Sequence, residues 1–469
     1  MKEKIAPAPL SLAPATARRI LAPVRRAGAT FARAHPGEPG ARQPVHTVYG
    51  GAHLFRFDSA SKLGGLARRA LEEHAPSAGA FAEAIALQPP EGKPPGEFAG
   101  TIYSRVRAKL EREPVEDFRI DFEDGYGYRP DTEEDGHALG AAREVARGMR
   151  ERTLPPFIGV RVKPLSPERG ERALRTLDLF VTALVREAKR LPDGFVVTLP
   201  KVTMPEQCAA LARALAALEA RSRLPRGSLR LELMVETPRA ILNGRGLAGL
   251  PDLVAASSER CVAVHFGTYD YTAACGITAP HQTMTHPACE FAKQVMKVAL
   301  AGTPVTLSDG ATNVLPVRPH RAAHGGPRLT RQQEQENRAA VRRAWRLHFE
   351  DVRSSLRSGY YQGWDLHPAQ LPTRYAAVYS FFLEGLEAAA ARLRALVEAA
   401  PTTLVGDVFD DAASGQGLLN YFRRGVACGA ITPEEAHASG LTLEELRTRS
   451  LSAILRARRP PAHRSGGPP

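Results

Sequence analysis

Cysteine is scarce in this chain, with five among 469 residues and no Cys-x-x-Cys pair. That scarcity speaks against a disulfide framework and against a zinc site built on cysteine. Apolar runs are short as well, and none approaches the roughly 20 residues of a membrane-spanning helix. Arg18, Arg19, Arg25 and Arg26 interrupt the N-terminal region, which is atypical of a secretory signal peptide. We therefore expect a cytoplasmic protein without a membrane partner.

Acidic residues are few at both ends of the chain, and most of the formal net charge of +13 comes from there. Residues 1–34 carry seven Lys and Arg against one Glu, and residues 451–469 carry four Arg and no acid. No nucleic-acid-binding motif accompanies these basic ends. We expect them to be solvated and expect no nucleic-acid partner.

Short apolar or β-branched runs recur along the chain and predict eight strands. They cover residues 45–49, 118–122, 157–162, 195–199, 229–235, 261–266, 303–307 and 360–366. Amphipathic helical stretches separate most of them, at residues 60–74, 138–150, 168–189, 205–220, 287–301 and 330–355. Apolar strands that alternate with helices are typical of a parallel sheet covered on both faces.

Eight such units predict an α/β protein of the (β/α)8 TIM-barrel type. The alternative is an open doubly wound sheet, but Gly50-Gly51 after the first strand is followed by Ala-His-Leu-Phe and not by a GxGxxG loop. We divide the chain into an N-terminal helical extension (residues 1–44), the barrel (45–400), a C-terminal helical cap (401–455) and a disordered basic tail (456–469).

The region after the eighth strand is predicted to be helical. Residues 373–400 are rich in Ala and Leu and predict one long helix. Capping boxes then start at Thr432 and Thr442, each with a Glu three positions later, and each predicts the beginning of a short helix.

Charged residues stand at the carboxyl ends of the predicted strands, where the reacting groups of barrel enzymes gather. Alternation along a strand places residues two apart on one face. It pairs Asp121 with Glu123, Arg161 with Lys163, and Glu232 with Glu236. Lys201 and Asp270 follow the fourth and sixth strands.

Charges inside a closed barrel are costly unless they are paired or bind a metal. The five acidic residues of this set exceed its three basic ones by two charges, which one divalent cation would balance. The alternative is that some of them face the outer helices or form salt bridges without function. Carboxylates without Cys or His at metal spacing suit Mg²⁺ or Mn²⁺ better than zinc. Such an ion would chelate a 2-oxo acid and stabilise an enolate, while an arginine grips the carboxylate.

Six motifs follow one another between residues 44 and 372. They are Asp-Phe-Glu-Asp-Gly, Val-Arg-Val, Leu-Pro-Lys-Val, Val-Glu-Thr, Phe-Gly-Thr-Tyr-Asp and Leu-His-Pro-Ala-Gln. In this order they resemble the HpcH/HpaI aldolase and citrate lyase β-subunit superfamily of phosphoenolpyruvate/pyruvate barrels, and residues 224–271 are also similar to malate synthase. The resemblance implies a metal-dependent carbon–carbon lyase with a 2-oxo acid or acyl-thioester substrate. It further implies that Glu236 and Asp270 bind Mg²⁺ or Mn²⁺, and that Arg161 is the catalytic, substrate-binding arginine.

Further roles follow from the same resemblance. Glu123 and Asp124 would be catalytic support, while Lys201 and His367 would help Arg161 to bind the substrate. The lid of this superfamily often carries an acidic residue from a neighbouring subunit. Asp410, or Asp411 beside it, would be its counterpart, which predicts a homo-oligomer.

Two departures from the superfamily argue against CoA esters specifically. The first strand reads His46-Thr-Val-Tyr-Gly-Gly-Ala in place of a basic-Ser-x-Leu-Phe-x-Pro pattern, and Arg129-Pro-Asp stands where Pro and Lys are usual. Three other functions therefore stay open: a malate-synthase-like acyltransferase, a phosphoenolpyruvate-using enzyme and a non-catalytic assembly subunit.

Other polar residues receive no assigned role. His320 and His324 stand four apart but lie in a Pro/Gly-rich stretch, where a loop is more plausible than a metal site. His265, in the sixth strand, is either a core histidine or a base. Cys275 has no base of known position beside it.

Overall fold

Eight parallel strands form a (β/α)8 barrel, as predicted, in a computed structural model that describes residues 11–37, 40–322, 327–398, 403–405 and 408–458. The strands are β1 (His46–Gly51), β2 (Asp117–Asp121), β3 (Phe157–Arg161), β4 (Val196–Leu199), β5 (Arg230–Val235), β6 (Cys261–Phe266), β7 (Thr306–Ser308) and β8 (Gly363–Asp365). From β1 to β7, each strand pairs with the next one in the chain, and β8 pairs with β1. A parallel bridge between Ala311 and Trp364 links the chain after β7 to β8 and closes the ring.

Helices surround the barrel and cover its outer face with apolar side chains. Those within the barrel repeats are α2 (Ser59–His74), α3 (Ala78–Ile85), α4 (Pro95–Arg112), α5 (Asp131–Glu151), α6 (Gly170–Ala188), α7 (Pro205–Ser222), α8 (Pro238–Ile241), α9 (Leu250–Ala256), α10 (Thr268–Ala274), α11 (Pro287–Ala299), α12 (Arg331–Arg357) and α13 (Leu371–Glu384). The helix α6 shows why they pack there, since Leu177, Phe180, Val181 and Leu184 recur on one face and are all buried. No helix among the described residues has the length and apolarity to cross a membrane.

Elements outside the barrel repeats lie at both ends of the chain. The helix α1 (Pro14–Ala34) precedes β1, and the others are α14 (Leu386–Glu398), the hairpin β9 (Thr403–Val405) and β10 (Val408–Asp410), α15 (Ala412–Ala427), α16 (Pro433–His437), α17 (Leu443–Arg447) and α18 (Leu451–Arg458). The capping boxes predicted at Thr432 and Thr442 begin α16 and α17, because each threonine hydroxyl accepts a hydrogen bond from the backbone N–H three residues on.

The single helix predicted over residues 373–400 is wrong, because the chain forms α13 and α14 with a break at Gly385. The hydroxyl of Tyr421, on α15, donates a hydrogen bond to the carbonyl of Phe382. That carbonyl would otherwise accept from residue 386, so a side chain inserted into the ladder interrupts the helix.

Two further boundaries differ from the sequence-based expectation. The seventh strand covers Thr306–Ser308 and not 303–307. Between β1 and β2 the chain adds α3 and α4, neither of which was expected. Ser77 begins α3 by accepting a hydrogen bond from Ala80 N, and Pro at the first position begins α4.

A polar layer crosses the barrel interior below its carboxyl end. Arg119, on β2, donates from Nε and Nη2 to the two carboxylate oxygens of Glu232 on β5, both at 2.7 Å. Its Nη1 donates to Asp117, which also accepts from the hydroxyl of Thr47 at 2.8 Å. These side chains are buried, and hydrogen bonds join both carboxylates to the one arginine.

Candidate active site

Six of the predicted site residues converge at the carboxyl end of the barrel, because neighbouring parallel strands end at the same rim. Arg161 is the last residue of β3, and Glu236 directly follows β5. Lys201 follows β4 after one proline, and Asp270 lies in the first turn of α10, after β6. The turn after β2 supplies Glu123 with Asp124 beside it.

Arg161 is buried and held by carboxylates on one edge. Its Nε and Nη2 donate to Asp121 at 2.7 and 2.5 Å, and its Nη1 lies 3.3 Å from Glu123. The guanidinium also lies over the ring of Tyr49, 4.8 Å from the ring centre. Burial alone would lower the pKa of Arg161, but its hydrogen bonds to Asp121 and the nearby negative charges raise it, so the group stays cationic. Its Nη1 also donates to Met234 Sδ at 3.8 Å.

Lys201 joins the acidic residues of three different loops. Its Nζ lies 2.6 Å from Glu123, 3.2 Å from Asp124 and 3.6 Å from Asp270. Burial opposes the ammonium charge, but the carboxylates, with Glu236 the strongest, raise the pKa of Lys201. Its backbone has a φ of 52°, in the left-handed region that a non-glycine residue seldom adopts. The backbone N–H of this strained residue donates to Glu236 at 2.7 Å, so both ends of Lys201 serve the same cluster.

Glu236 is a buried carboxylate, with 2% of its surface exposed. Burial raises its pKa to about 7, although Lys201 and Arg161 act in the opposite direction. The hydrogen bond from Lys201 N is the one that the described residues give to its carboxylate. A buried carboxylate with so few donors has oxygen lone pairs available for a cation.

The chemistry of these donors fits Mg²⁺ or Mn²⁺. The described residues contain no group of three or more His, Cys, Asp or Glu arranged to hold a metal ion. The predicted ligands Glu236 and Asp270 would supply two carboxylates, and water and substrate would complete the coordination. Mg²⁺ sites in enzymes often have this composition, with one or two carboxylates and several waters.

Gly267, at the start of α10, leaves the space that Glu236 occupies. A Cβ at this position would lie 2.3 Å from Glu236 Cγ, well inside van der Waals contact. We expect Gly267→Ala to displace Glu236, to cost about 1–3 kcal/mol through overpacking and to weaken the Mg²⁺-induced rise in melting temperature. Gly244→Ala is the matched control, since a Cβ there meets nothing within 4 Å. Calorimetric melting with and without Mg²⁺ measures both; an unchanged Mg²⁺ response in Gly267→Ala would contradict the prediction.

Lys163 corrects one sequence-based expectation, because it does not share the inward face of Arg161. The strand β3 ends at Arg161, so alternation does not continue to Lys163. Its Nζ donates instead to Glu134 on α5 at 2.7 Å and to the carbonyl of Phe122 at 2.8 Å. The residue ties the barrel to an outer helix.

His265 is a hydrogen-bonded core histidine beneath the site. It is fully buried, and its Nδ1 accepts from the indole N–H of Trp364 at 3.2 Å. Its Nε2 lies 3.2 Å from Glu232, and Tyr49 Oη is 3.4 Å from its Nδ1. Sequence reasoning missed Tyr49, Trp364 and Arg119. Alternation back from Asp121 would have found Arg119, but only the assembled barrel brings Tyr49 and Trp364 together across the β1–β8 seam.

His367 and the acidic pair near the hairpin β9–β10 do not join this cluster in the contacts that the structure describes. His367 caps a short 3₁₀ helix (Pro368–Gln370), and its Nδ1 accepts from Ala369 N at 3.2 Å. Burial lowers its pKa, as does Arg321. Asp411 caps α15 by accepting from Ala413 N and Ser414 N. The side chain of Asp410 lies outside the described residues, so its predicted role stays a prediction.

The remaining candidates have contacts of an ordinary kind or fall outside the description. His320 contacts Glu336 and also donates its backbone N–H to Asn337 at 2.9 Å. His324 lies outside the described residues. Cys275 is an exposed free cysteine after α10.

The solved structures to which this chain is similar include enzymes of two kinds. A citrate lyase from Burkholderia xenovorans LB400 is 21% identical, with a TM-score of 0.51 over 72% of this chain and 92% of that one. CitE from Mycobacterium tuberculosis, in complex with magnesium, acetoacetate and coenzyme A, is 15% identical over 83% and 99% of the two chains, with a TM-score of 0.45. A Haloferax volcanii malate synthase is also 15% identical over 72% and 76%, again with a TM-score of 0.45. The likeness to the citrate lyase shows a shared barrel fold.

A search of curated proteins found no match. A family profile described as "Domain of unknown function (DUF6986)" matches residues 24–454. Since that match covers nearly all of the barrel and the helices after it, the chain belongs to the DUF6986 family.

Proposed function

We propose that this protein is a Mg²⁺-dependent carbon–carbon lyase, of the citrate-lyase-like kind, which breaks or forms a bond next to a 2-oxo acid. The observation that supports it best is the placement of Arg161, Lys201, Glu236 and Asp270 around one barrel mouth. An enolate or a 2-oxo acid carries negative charge, which the cationic side chains of Arg161 and Lys201 would attract. The bound metal would supply a Lewis acid for the keto and carboxylate oxygens.

In this proposal Arg161 binds the carboxylate or the oxygen on which charge develops. Its Nε–Nη2 edge is occupied by Asp121, which fixes the plane of the guanidinium. In this proposal a planar anion takes the place of Glu123 at Nη1 and meets the fork that Nη1 and the second Nη2 hydrogen form. Because Asp121 holds the group before the substrate arrives, little reorganisation accompanies the reaction.

Lys201 would hold the other residues of the site in position. Its ammonium draws Glu123 and Asp124 toward Asp270, and its backbone N–H orients Glu236. Burial raises the pKa of Glu123, against the charges of Arg161 and Lys201, which suits a carboxyl that supports proton transfer at the mouth. His367 would join only if its loop moves toward the mouth.

The test is a substrate screen on the purified chain with Mg²⁺ and with Mn²⁺. We expect cleavage of a 2-hydroxyacyl or aldol substrate to pyruvate, glyoxylate or a similar oxo acid, with loss of activity on chelation by EDTA. Release of free thiol from an acyl thioester with glyoxylate would instead identify an acyltransferase. Phosphate release from phosphoenolpyruvate would identify the third enzyme class, and inactivity across the panel would favour an assembly subunit.

The remaining proposals concern the substrate, the location and the assembly of the enzyme. We propose a small-molecule substrate, a cytoplasmic location and a homo-oligomer in which the segment at Asp410 covers a neighbouring site. Light scattering tests the assembly directly, since a strict monomer rules out the cross-subunit lid.

A further inference from the structure

A cavity of about 300 Å³ lies at the amino-terminal end of the barrel, opposite the candidate active site. Its walls come from residues 40–42, which lead into β1, and from α15, the start of α16 and α17. Nothing in the proposed lyase chemistry uses this space.

Two kinds of side chain line the cavity. One wall is apolar and consists of Val426, Ala427, Pro433, Leu443 and Leu446. The polar lining consists of Asn420 and four arginines, namely Arg42, Arg423, Arg424 and Arg447. None of the described lining residues is acidic. A pocket with apolar walls and a few convergent polar groups is the usual form of a small-molecule site.

Ion pairs with two glutamates fix Arg42. Arg42 donates from Nη1 to Glu113 at 3.1 Å, and its Nη2 lies 2.9 Å from Glu116. Burial acts to raise the pKa of Glu113, but hydrogen bonds from Arg42 and Lys109 lower it to about 2, so this network stays ionised. Less conformational entropy is lost when a ligand meets groups that are already ordered.

Arg424 is ordered in a different way. Its Nη1 donates to Gln43 at 2.5 Å, and its guanidinium lies 4.7 Å from the centre of the Tyr361 ring. Planar guanidinium groups match the oxygens of carboxylates and phosphates.

We propose that this cavity binds a small organic anion whose phosphate or carboxylate group meets the arginines while its apolar body packs against the α15 and α17 wall. The volume is at the lower end of the range for small-molecule pockets, which suits a ligand about the size of a one-ring aromatic acid. The site is independent of the proposed lyase activity.

The experiment uses the full chain and isothermal titration with phenyl phosphate and with 3-phenylpropionate. We expect saturable 1:1 binding of at least one of them, and which one binds identifies the preferred anionic group. Inorganic phosphate and benzyl alcohol should each bind at least tenfold more weakly than the preferred anion. Inorganic phosphate lacks the apolar body, and benzyl alcohol lacks the anionic group. Inorganic phosphate that binds as tightly as phenyl phosphate would overturn the role of the apolar wall.

Three variants locate the binding. Arg423→Gln and Arg447→Gln each remove a charged donor and should weaken binding by about 10-fold or more, as loss of a charged hydrogen bond does. Ala427→Phe should abolish binding by filling the cavity. Arg343→Gln, an exposed position on α12 away from the lining, is the control and should bind as the wild type does.

The proposal is overturned if neither anion binds the wild type, or if Arg423→Gln, Arg447→Gln and Ala427→Phe all bind like Arg343→Gln. Because Arg447 is exposed, its variant should fold even if Ala427→Phe does not. Catalytic activity, which belongs to the opposite end of the barrel, is not needed for any of these readouts.

Discussion

Replacing Arg161 with lysine should lower turnover by on the order of 10²–10³, or about 3–4 kcal/mol, with a much smaller change in the Michaelis constant. Lysine keeps the charge but cannot hold both oxygens of Asp121 and also present a fork to a planar anion. If the fork strengthens as charge builds in the transition state, its loss acts on turnover more than on binding. Steady-state kinetics on the substrate found by screening measures the effect.

Arg260→Lys is the matched control for this prediction. Arg260 is also buried and also holds a carboxylate by two hydrogen bonds, to Glu219 at 2.7 and 2.8 Å, but it lies between α7 and β6, away from the barrel mouth. Both variants should lose stability in urea unfolding, whereas only Arg161→Lys should lose turnover. Wild-type turnover with a raised Michaelis constant would show that Arg161 only helps binding, and lost metal affinity would show a structural role.

The amide variants Glu236→Gln and Asp270→Asn should abolish Mg²⁺-dependent activity while the fold stays intact. Each removes one of the two charges that the protein would offer to the ion, although glutamine can still accept the hydrogen bond from Lys201 N. Mg²⁺ at 100 times its dissociation constant should stabilise the wild type by about 2.7 kcal/mol, and this gain should vanish in both variants. Calorimetric melting with and without Mg²⁺ measures it without a substrate.

Asp351→Asn provides a control carboxyl of similar burial. Burial raises the pKa of Asp351 to about 6, and its carboxylate accepts from the Thr312 hydroxyl at 2.6 Å on the outside of the barrel. The variant should keep the full Mg²⁺ response. Undiminished activity in both Glu236→Gln and Asp270→Asn would refute the assignment of these ligands.

The barrel itself was predictable because the sequence patterns that specify its strands and helices are local. A strand buried on both faces must be apolar, and eight such runs separated by amphipathic helices leave few folds other than a closed parallel barrel. The positions of Arg161, Lys201 and Glu236 followed from the same rule, since the end of a parallel strand marks the rim. Capping residues such as Thr432 were also predictable from the sequence, because their hydrogen bonds lie within one helical turn.

Two of the errors arose where a distant side chain contributed to the outcome. The break between α13 and α14 depends on the hydroxyl of Tyr421, and Lys163 turns outward because Glu134, on another helix, accepts its charge. Neither partner is near in sequence. Hydrophobic periodicity predicts which face of a helix or strand a residue occupies. It does not predict where a residue points once the helix or strand has ended.

The sequence by itself thus determined the barrel, the rim residues and their mostly acidic character, since each depends on periodicity and on strand ends. Only the tertiary structure decided that Asp121 occupies one edge of Arg161, that Lys201 bridges three carboxylates, and that four arginines from the two ends of the chain line one cavity. These are contacts between residues far apart in the chain, and their geometry is set by the packing of whole elements against one another.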